Sequence, residues 1–220
     1  MGVMTTISAT GFLFDSDGVL VDSLEAAAQA WDAWALEHAP SYNFRTDMVH
    51  GTRAGDIVAG LVTADLFVEA ERALLDAELA TVDGTVAIAG AIALTASLPA
   101  GSWTVVTSAA HDLARARLAA AGLAAPASLV TAEDVSRGKP DPEPYRRGAE
   151  LIGIDPAHCV VFEDAPAGIQ AAFDAGIGTI IGVGASALGT QATLVVPDLT
   201  AVSYVDGALQ VDDAAILVAA

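Results

Sequence analysis

The chain has 220 residues, of which 54% are hydrophobic, enough for one compact core or one core with a small satellite. Its 28 acidic and nine basic residues give a formal net charge of -19, which argues against nucleic acid or an anionic membrane as a partner. The single cysteine, Cys159, excludes an internal disulfide and a cysteine zinc cluster, and it favours a cytoplasmic protein.

The first strong pattern is the apolar run 11–14, which ends in Asp15-Ser16-Asp17-Gly18 and predicts a buried strand that stops at a turn. Residues 24–38 have apolar side chains at helical spacing and predict a helix. Three further segments before Asp83 also predict helices and show no strand pattern. They are residues 46–49, 53–62 and 65–81.

After Asp83-Gly84 the pattern changes to an alternation of strands and helices, which predicts a parallel sheet with crossover connections. The predicted strands are residues 103–107, 128–130, 159–162, 179–182 and 194–196. The predicted helices are residues 112–121, 142–152 and 166–175, and each stops at a glycine. Residues 202–205 and 208–211 predict a hairpin around Asp206-Gly207.

These elements predict an α/β fold, with a Rossmann-like parallel sheet and a small all-helical cap inserted after the first strand. The core domain is expected to comprise residues 1–20 and 84–220, and the cap residues 21–83, with hinges near Leu20 and Asp83.

Two uncharged stretches, residues 84–110 and 175–197, are long enough to cross a bilayer. Proline, glycine and hydroxyl residues interrupt them, so both are interpreted as parts of the core. The first six residues lack the basic and apolar regions of a secretory signal. No membrane partner is therefore expected.

Polar side chains follow four predicted strands, at the sheet edge where open parallel sheets bind ligands. They are Asp15 and Asp17, Thr107 and Ser108, Lys139, and Glu163 and Asp164. Acids that converge in this way need a cation, because carboxylates at short range raise one another's pKa. Mg²⁺, which prefers oxygen ligands, and Lys139, which is the only lysine of the chain, are the predicted counter-charges.

Asp15 and Asp17 lie two residues apart at the end of the first strand. Two carboxylates in this position can divide the work of a nucleophile and of a proton donor and acceptor. The competing interpretation is a turn that simply favours Asp and Gly.

The segments 14–23, 105–108, 138–142 and 161–169 resemble, in order, the four motifs of the haloacid-dehalogenase superfamily. The helical insertion lies where that superfamily places its C1 cap. The chain is most similar to the small sugar-phosphate and alditol-phosphate phosphatases, chiefly through His50-Gly51-Thr52-Arg53 in the cap and through Val106-Thr107-Ser108 with Ala114-Arg115-Ala116-Arg117 after it.

The resemblance implies that Asp15 attacks phosphorus and becomes an aspartyl-phosphate. Asp17 is then implied to protonate the leaving oxygen and afterwards to take a proton from water. Thr107 and Ser108 bind phosphoryl oxygens, with either hydroxyl as the main donor, and Lys139 offsets the charge shared by Asp15 and the phosphate.

For the metal, the resemblance implies Mg²⁺ bound by the Asp15 carboxylate, the Asp17 backbone carbonyl and Asp164. Glu163 is implied to be either a direct ligand or a residue that holds a metal-bound water.

In the cap, His50 and Arg53 are expected to face the substrate, a small phosphorylated sugar or polyol. Trp31 and Trp34 are expected to pack the first cap helix. Cys159 is expected to pack in the core. A cap that opens and closes favours a monomer.

The nearest alternative is a β-phosphoglucomutase-type phosphomutase. That enzyme carries a histidine where this chain has Ala27, and a lysine later in its cap, which here has none. A metal-free dehalogenase is disfavoured by the second acid, Asp17. A non-enzymatic phospho-receiver switch is disfavoured because Lys139 precedes Glu163 and Asp164.

Overall fold

The computed structural model describes residues 2–218, and the bounds of the regular elements in that range follow. The strands are β1 (Met4–Ile7), β2 (Gly11–Phe14), β3 (Val21–Asp22), β4 (Val86–Ala87), β5 (Trp103–Val105), β6 (Cys159–Glu163), β7 (Thr179–Val183), β8 (Leu194–Val196), β9 (Val202–Val205) and β10 (Ala208–Asp212). The α-helices are α1 (Leu24–His38), α2 (Phe44–Asp47), α3 (Ala54–Leu61), α4 (Phe67–Ala80), α5 (Ala91–Ser97), α6 (His111–Ala120), α7 (Glu143–Ile152) and α8 (Pro166–Asp174).

The central sheet has five parallel strands in the order β5-β2-β6-β7-β8. Strands β2 and β6 lie in its middle and are buried along their whole length. Helices cover both faces of such a sheet, which explains why these strands are continuous apolar runs. The predicted α/β fold with a parallel sheet is confirmed.

Alternate residues of β2 point into different hydrophobic clusters. Phe12 and Phe14 belong to the cluster that includes Leu94 of α5 and Leu118 of α6. Leu13 belongs to the opposite cluster, which includes Tyr145 of α7. The alternation follows from the two-residue period of an extended strand, and it fixes which face each helix covers.

Helices α1 to α4 pack around a third cluster, separate from the two clusters of the sheet. Trp31 and Trp34 are buried in it in an edge-to-face pair, and Trp34 Nε1 donates to the Ala70 carbonyl at 2.8 Å. These tryptophans therefore pack the first cap helix as expected, and the helical segment has its own small core.

Two short strands connect the helical segment to the sheet region. Strands β3 and β4 pair antiparallel, with Val21 opposite Ala87 and Asp22 opposite Val86. Ile88 N also donates to the Leu20 carbonyl at 3.0 Å. The two connections thus run side by side, close to both predicted hinges, while the domain boundaries themselves stay a prediction.

Several details differ from the sequence-based expectation. Strand β1 was not predicted, because its polar threonines give it no apolar run, and it forms by pairing with β10 in a three-stranded antiparallel sheet. The predicted hairpin forms the rest of that sheet. Residues 128–130 make only a single bridge, from Val130 to Val106, instead of a strand. Helix α5 lies within the uncharged stretch 84–110 and was missed.

Within residues 2–218, every helix is too short or too polar to cross a bilayer.

Candidate active site

Asp15 stands at the carboxyl end of the central strand β2. Its backbone N–H donates to the Phe162 carbonyl at 3.0 Å, so the hydrogen-bond ladder between β2 and β6 continues to this residue. Glu163 ends β6 and Asp164 follows it. Because the two strands are parallel neighbours, their ends bring these three carboxylates to one edge of the sheet, as predicted.

Lys139 connects two of these carboxylates. Its Nζ lies 2.8 Å from Asp15 Oδ1 and 2.6 Å from Glu163 Oε1, and its side chain is 1% exposed. Burial disfavours the ammonium, but the attraction of Asp15 and Glu163 outweighs burial and raises the pKa of Lys139 above its usual value. The lysine is therefore a permanent positive charge between two buried acids.

Glu163 is completely buried and is held by protein donors at both oxygens. In addition to Lys139, the Tyr145 hydroxyl donates to Oε1 at 2.9 Å, and Ala165 N donates to Oε2 at 2.9 Å. Helix α8 lies against this carboxylate at Gly168, where a Cβ would be 1.6 Å from Oε1. Burial raises the pKa of Tyr145 well above its usual value, so the phenol remains a neutral donor.

Asp15, Glu163 and Asp164 each offer a carboxylate oxygen, and these oxygens lie within 4.8 Å of one another. Burial raises the pKa of Asp15 to about 7, against the opposing attraction of Lys139. Burial, and then repulsion from Glu163 and Asp15, raises the pKa of Asp164 well above its usual value. A hard cation fits this site, because it matches the oxygen donors and compensates the remaining negative charge.

Gly18 makes room for Asp164. Its φ of 84° lies in the left-handed region, and a Cβ there would come within 2.3 Å of Asp164 Oδ2. The glycine of the first motif is thus required both by the turn and by the close approach of an acid from the fourth motif.

Asp17 lies outside the group of three carboxylates and is partly exposed, with 31% of its side chain accessible. Arg117 Nη1 lies 3.1 Å from its Oδ1, and the Ser23 hydroxyl donates to the same oxygen. The carboxylate is therefore held at one oxygen, close to Asp15 in sequence but in a wetter environment.

The two predicted phosphate-binding hydroxyls have different partners. Thr107 is buried, and its Oγ1 accepts from Ala109 N at 3.1 Å, which leaves its own proton available for donation. Ser108 donates its hydroxyl to the Gly51 carbonyl of the cap segment at 2.7 Å. A hydroxyl has one proton, so Ser108 is engaged by the cap in this conformation.

The cap residues occupy the junction between the helical segment and the sheet. His50 is exposed and packs edge-on against the Phe44 ring, with 6.0 Å between the ring centroids. Arg53 pairs with Asp56 at 2.8 Å and donates to the Val135 carbonyl at 3.3 Å, ahead of the loop that carries Lys139. The substrate contacts expected of His50 and Arg53 stay predictions.

Cys159 begins β6 and is buried, and burial raises the pKa of its thiol to about 11. The residue packs in the core, as expected, and its thiol is a poor nucleophile at neutral pH.

A lysine between buried carboxylates, at the carboxyl ends of parallel strands, forms a site that fits a metal ion. A family model described as haloacid dehalogenase-like hydrolase matches residues 9–176. The chain belongs to this family, and the resemblance stated from its motifs is confirmed.

Curated relatives agree with this assignment. The chain is 45% identical over 172 residues to hexitol phosphatase A of Escherichia coli, covering 76% of this chain and 79% of that protein. It is 34% identical over 200 residues to glycerol-1-phosphate phosphohydrolase 2 of Saccharomyces cerevisiae, covering 83% and 79%. The prediction of a phosphatase enzyme is confirmed.

Among solved structures, β-phosphoglucomutase of Clostridium difficile superposes with a TM-score of 0.75 at 20% identity, covering 87% of this chain and 92% of that one. At this identity the similarity concerns the fold alone.

Proposed function

We propose that this protein is a Mg²⁺-dependent phosphatase that hydrolyses a small sugar or sugar-alcohol phosphate through an aspartyl-phosphate on Asp15. The observation that carries the proposal is the buried contact of Lys139 with Asp15 beside Glu163 and Asp164. The lysine holds the carboxylate in place and supplies positive charge to an incoming phosphoryl group, and phosphoryl transfer depends on such positioning and electrostatics.

Thr107 is the better candidate for the main phosphate hydroxyl. Its oxygen accepts from Ala109 N, so its proton is free for a phosphoryl oxygen, whereas Ser108 donates its proton to Gly51. Lys139 offers a second donor to the same phosphate.

In the first step the Asp15 carboxylate forms a bond to phosphorus, and the bond from phosphorus to the sugar oxygen breaks. Asp17 gives a proton to that oxygen. In the second step water attacks phosphorus, its proton passes to Asp17, and the bond between phosphorus and Asp15 breaks to release inorganic phosphate. The reaction consumes one water and regenerates both carboxyl groups.

Mg²⁺ would be held by Asp15, Asp164 and the Asp17 backbone carbonyl, and it would neutralise the charge that the phosphoryl group brings to these acids. Oε1 of Glu163 already accepts from Lys139 and Tyr145, whereas Oε2 accepts only from Ala165 N, so Oε2 is the oxygen that Glu163 would offer to the metal or to a metal-bound water.

The names of the two relatives support a polyol phosphate as the substrate class, since one acts on hexitol phosphates and the other on glycerol-1-phosphate. The phosphomutase alternative has the support of a shared fold. Ala27 in α1 and the absence of lysine from the cap sequence favour water over a sugar hydroxyl as the acceptor.

The test is a panel of hexitol, hexose, pentitol and glycerol phosphates, with free phosphate and any isomerised sugar phosphate measured together. We expect phosphate release that EDTA abolishes and Mg²⁺ restores. Asp15→Asn should reduce this release by at least about a thousandfold in a variant that still unfolds cooperatively. Isomerisation without phosphate release identifies a mutase. A stable phosphoprotein without turnover identifies a receiver switch.

We also propose a monomer that acts in the cytoplasm. The support is compositional: the single cysteine is reduced and buried, and the net charge of -19 favours solubility as separate chains.

A further inference from the structure

A second charged group, separate from the Lys139 cluster, links the sheet region to the helical segment. Arg117 on α6 has its Nη1 3.1 Å from Asp17 Oδ1 and its Nη2 3.0 Å from Glu78 Oε1 on α4. Asp17 follows β2, so three distant parts of the sequence meet at one guanidinium.

The pairing of Arg117 with Glu78 is buried, with the two side chains 7% and 8% exposed. Ions removed from water to this extent need partners in good geometry, because unpaired buried charges are costly. A guanidinium is a rigid planar fork, so fixing one nitrogen also fixes the direction of the other. Glu78 therefore determines where Arg117 points its second nitrogen.

That second nitrogen, Nη1, lies 3.1 Å from Asp17 Oδ1. Both Arg117 and the Ser23 hydroxyl contact Oδ1 of this carboxylate, which restrains its rotation, and neither contact involves Oδ2. Ser23 stands at the start of α1, so the Asp17 carboxylate is held by groups from both sides of the junction between sheet and cap.

We propose that Arg117 is a positioning residue for proton transfer: it orients the Asp17 carboxylate, and Glu78 of the cap orients Arg117. The inference rests on the proposed function, in which Asp17 protonates the leaving oxygen. It adds that a buried cation outside the phosphate site sets the geometry of this proton transfer, and that helix α4 contributes to it through Glu78.

The competing interpretation is an ion pair that only stabilises the contact between α4 and α6. The two interpretations differ in how the reaction depends on the leaving group. A polyol oxygen must be protonated as it leaves, whereas p-nitrophenolate leaves without a proton. Misplacement of Asp17 therefore slows phosphoryl transfer from a polyol phosphate and spares transfer from p-nitrophenyl phosphate. A loss of folded protein slows both equally.

The experiment compares Arg117→Met, Arg117→Lys and Glu78→Gln with the unmodified enzyme. Phosphorylation of the enzyme is measured in a single turnover. Release of p-nitrophenolate reports it for p-nitrophenyl phosphate, and release of the polyol, in quenched samples, reports it for the polyol phosphate. Single-turnover conditions are needed because Asp17 also serves the second step with both substrates. Asp17→Asn provides the reference for complete loss of proton transfer.

For Arg117→Met we expect a rate about a hundredfold lower with the polyol phosphate and a change below about threefold with p-nitrophenyl phosphate. Glu78→Gln is expected to show the same selectivity, but smaller. Arg115→Met is the matched control on the same helix, since Arg115 contacts His111 and the Ala127 carbonyl, and we expect it to leave both rates unchanged.

If Arg117→Met does not fold, Arg117→Lys carries the test, because it keeps the charge and removes the fork. Equal losses with both substrates, or no loss with the polyol phosphate, overturn the proposal for Arg117. A wild-type enzyme that releases no phosphate from any polyol or sugar phosphate contradicts the proposed function instead, so the two failures are distinguishable.

Discussion

The strand-end cluster around Lys139 and the cap segment His50–Arg53 are both predicted to serve the same reaction, but they are built in opposite ways. In the cluster, the side chains of Asp15, Lys139 and Glu163 are at most 7% exposed, and each is held by another charged group. In the cap segment, His50 is exposed and Arg53 pairs with an exposed aspartate. Buried charges have no water to replace a lost partner, whereas exposed ones do.

The difference indicates which part is fixed and which part can move. Groups that must hold a phosphoryl group within a fraction of an ångström benefit from partners that cannot rearrange. A cap that must admit substrate and release phosphate benefits from contacts that break at small cost. Mutations in the cluster should therefore lower stability and slow the reaction with every substrate. Mutations in the cap segment should instead change the preference among substrates.

The largest effect is expected from Lys139→Gln. It leaves Asp15 and Glu163 as buried carboxylates without their cation, so the free energy of unfolding should fall by about 3–5 kcal/mol. Urea unfolding measures the change, and phosphatase activity should be lost with every substrate.

The matched control is Arg137→Gln, two residues before Lys139, which removes an ion pair between a largely exposed arginine and Asp141, four residues further along the chain. It should change the free energy of unfolding by no more than about 1 kcal/mol. Comparable losses from the two variants would contradict the distinction between buried and exposed charges.

A smaller effect is expected from Tyr145→Phe, which removes one donor from Glu163 and keeps the ring. The free energy of unfolding should fall by about 1–3 kcal/mol, since one hydrogen bond to a buried charge is lost. Tyr204→Phe, at a half-buried tyrosine of the small sheet, is the control and should cost less than about 1 kcal/mol. Unchanged stability in Tyr145→Phe would show that Glu163 does not depend on this hydroxyl.

The smallest and most selective effect is expected from Arg53→Ala. It should raise KM for the sugar phosphate about tenfold, because one charge-assisted hydrogen bond is lost. Hydrolysis of p-nitrophenyl phosphate should be unchanged. His50→Ala should give a weaker effect of the same kind. Steady-state kinetics with both substrates measures it, and an equal loss on both would count against a substrate role for this segment.

The sequence was sufficient for the parts of the site that local chemistry specifies. A buried strand followed by acids indicates Asp15 and Asp17, and a lone lysine in an acidic chain indicates Lys139. The parallel sheet follows from the alternation of strands and helices. Each of these signals is contained in a short stretch of residues.

The supporting groups could not be predicted, because they depend on pairings across the chain. Tyr145 is one apolar residue of α7 until the fold places its hydroxyl on Glu163. Arg117 and Glu78 look like surface residues of two helices until those helices pack together. Strand β1 likewise forms only through β10, some two hundred residues away in sequence.

The contact between Gly168 and Glu163 has a consequence for redesign. A single methyl group at position 168 would overlap the carboxylate oxygen, so the acid is seated by the main chain of α8 and not only by other side chains. Grafting the proposed catalytic residues onto a different scaffold would consequently fail unless that scaffold also placed a helical glycine against the carboxylate at the end of the strand.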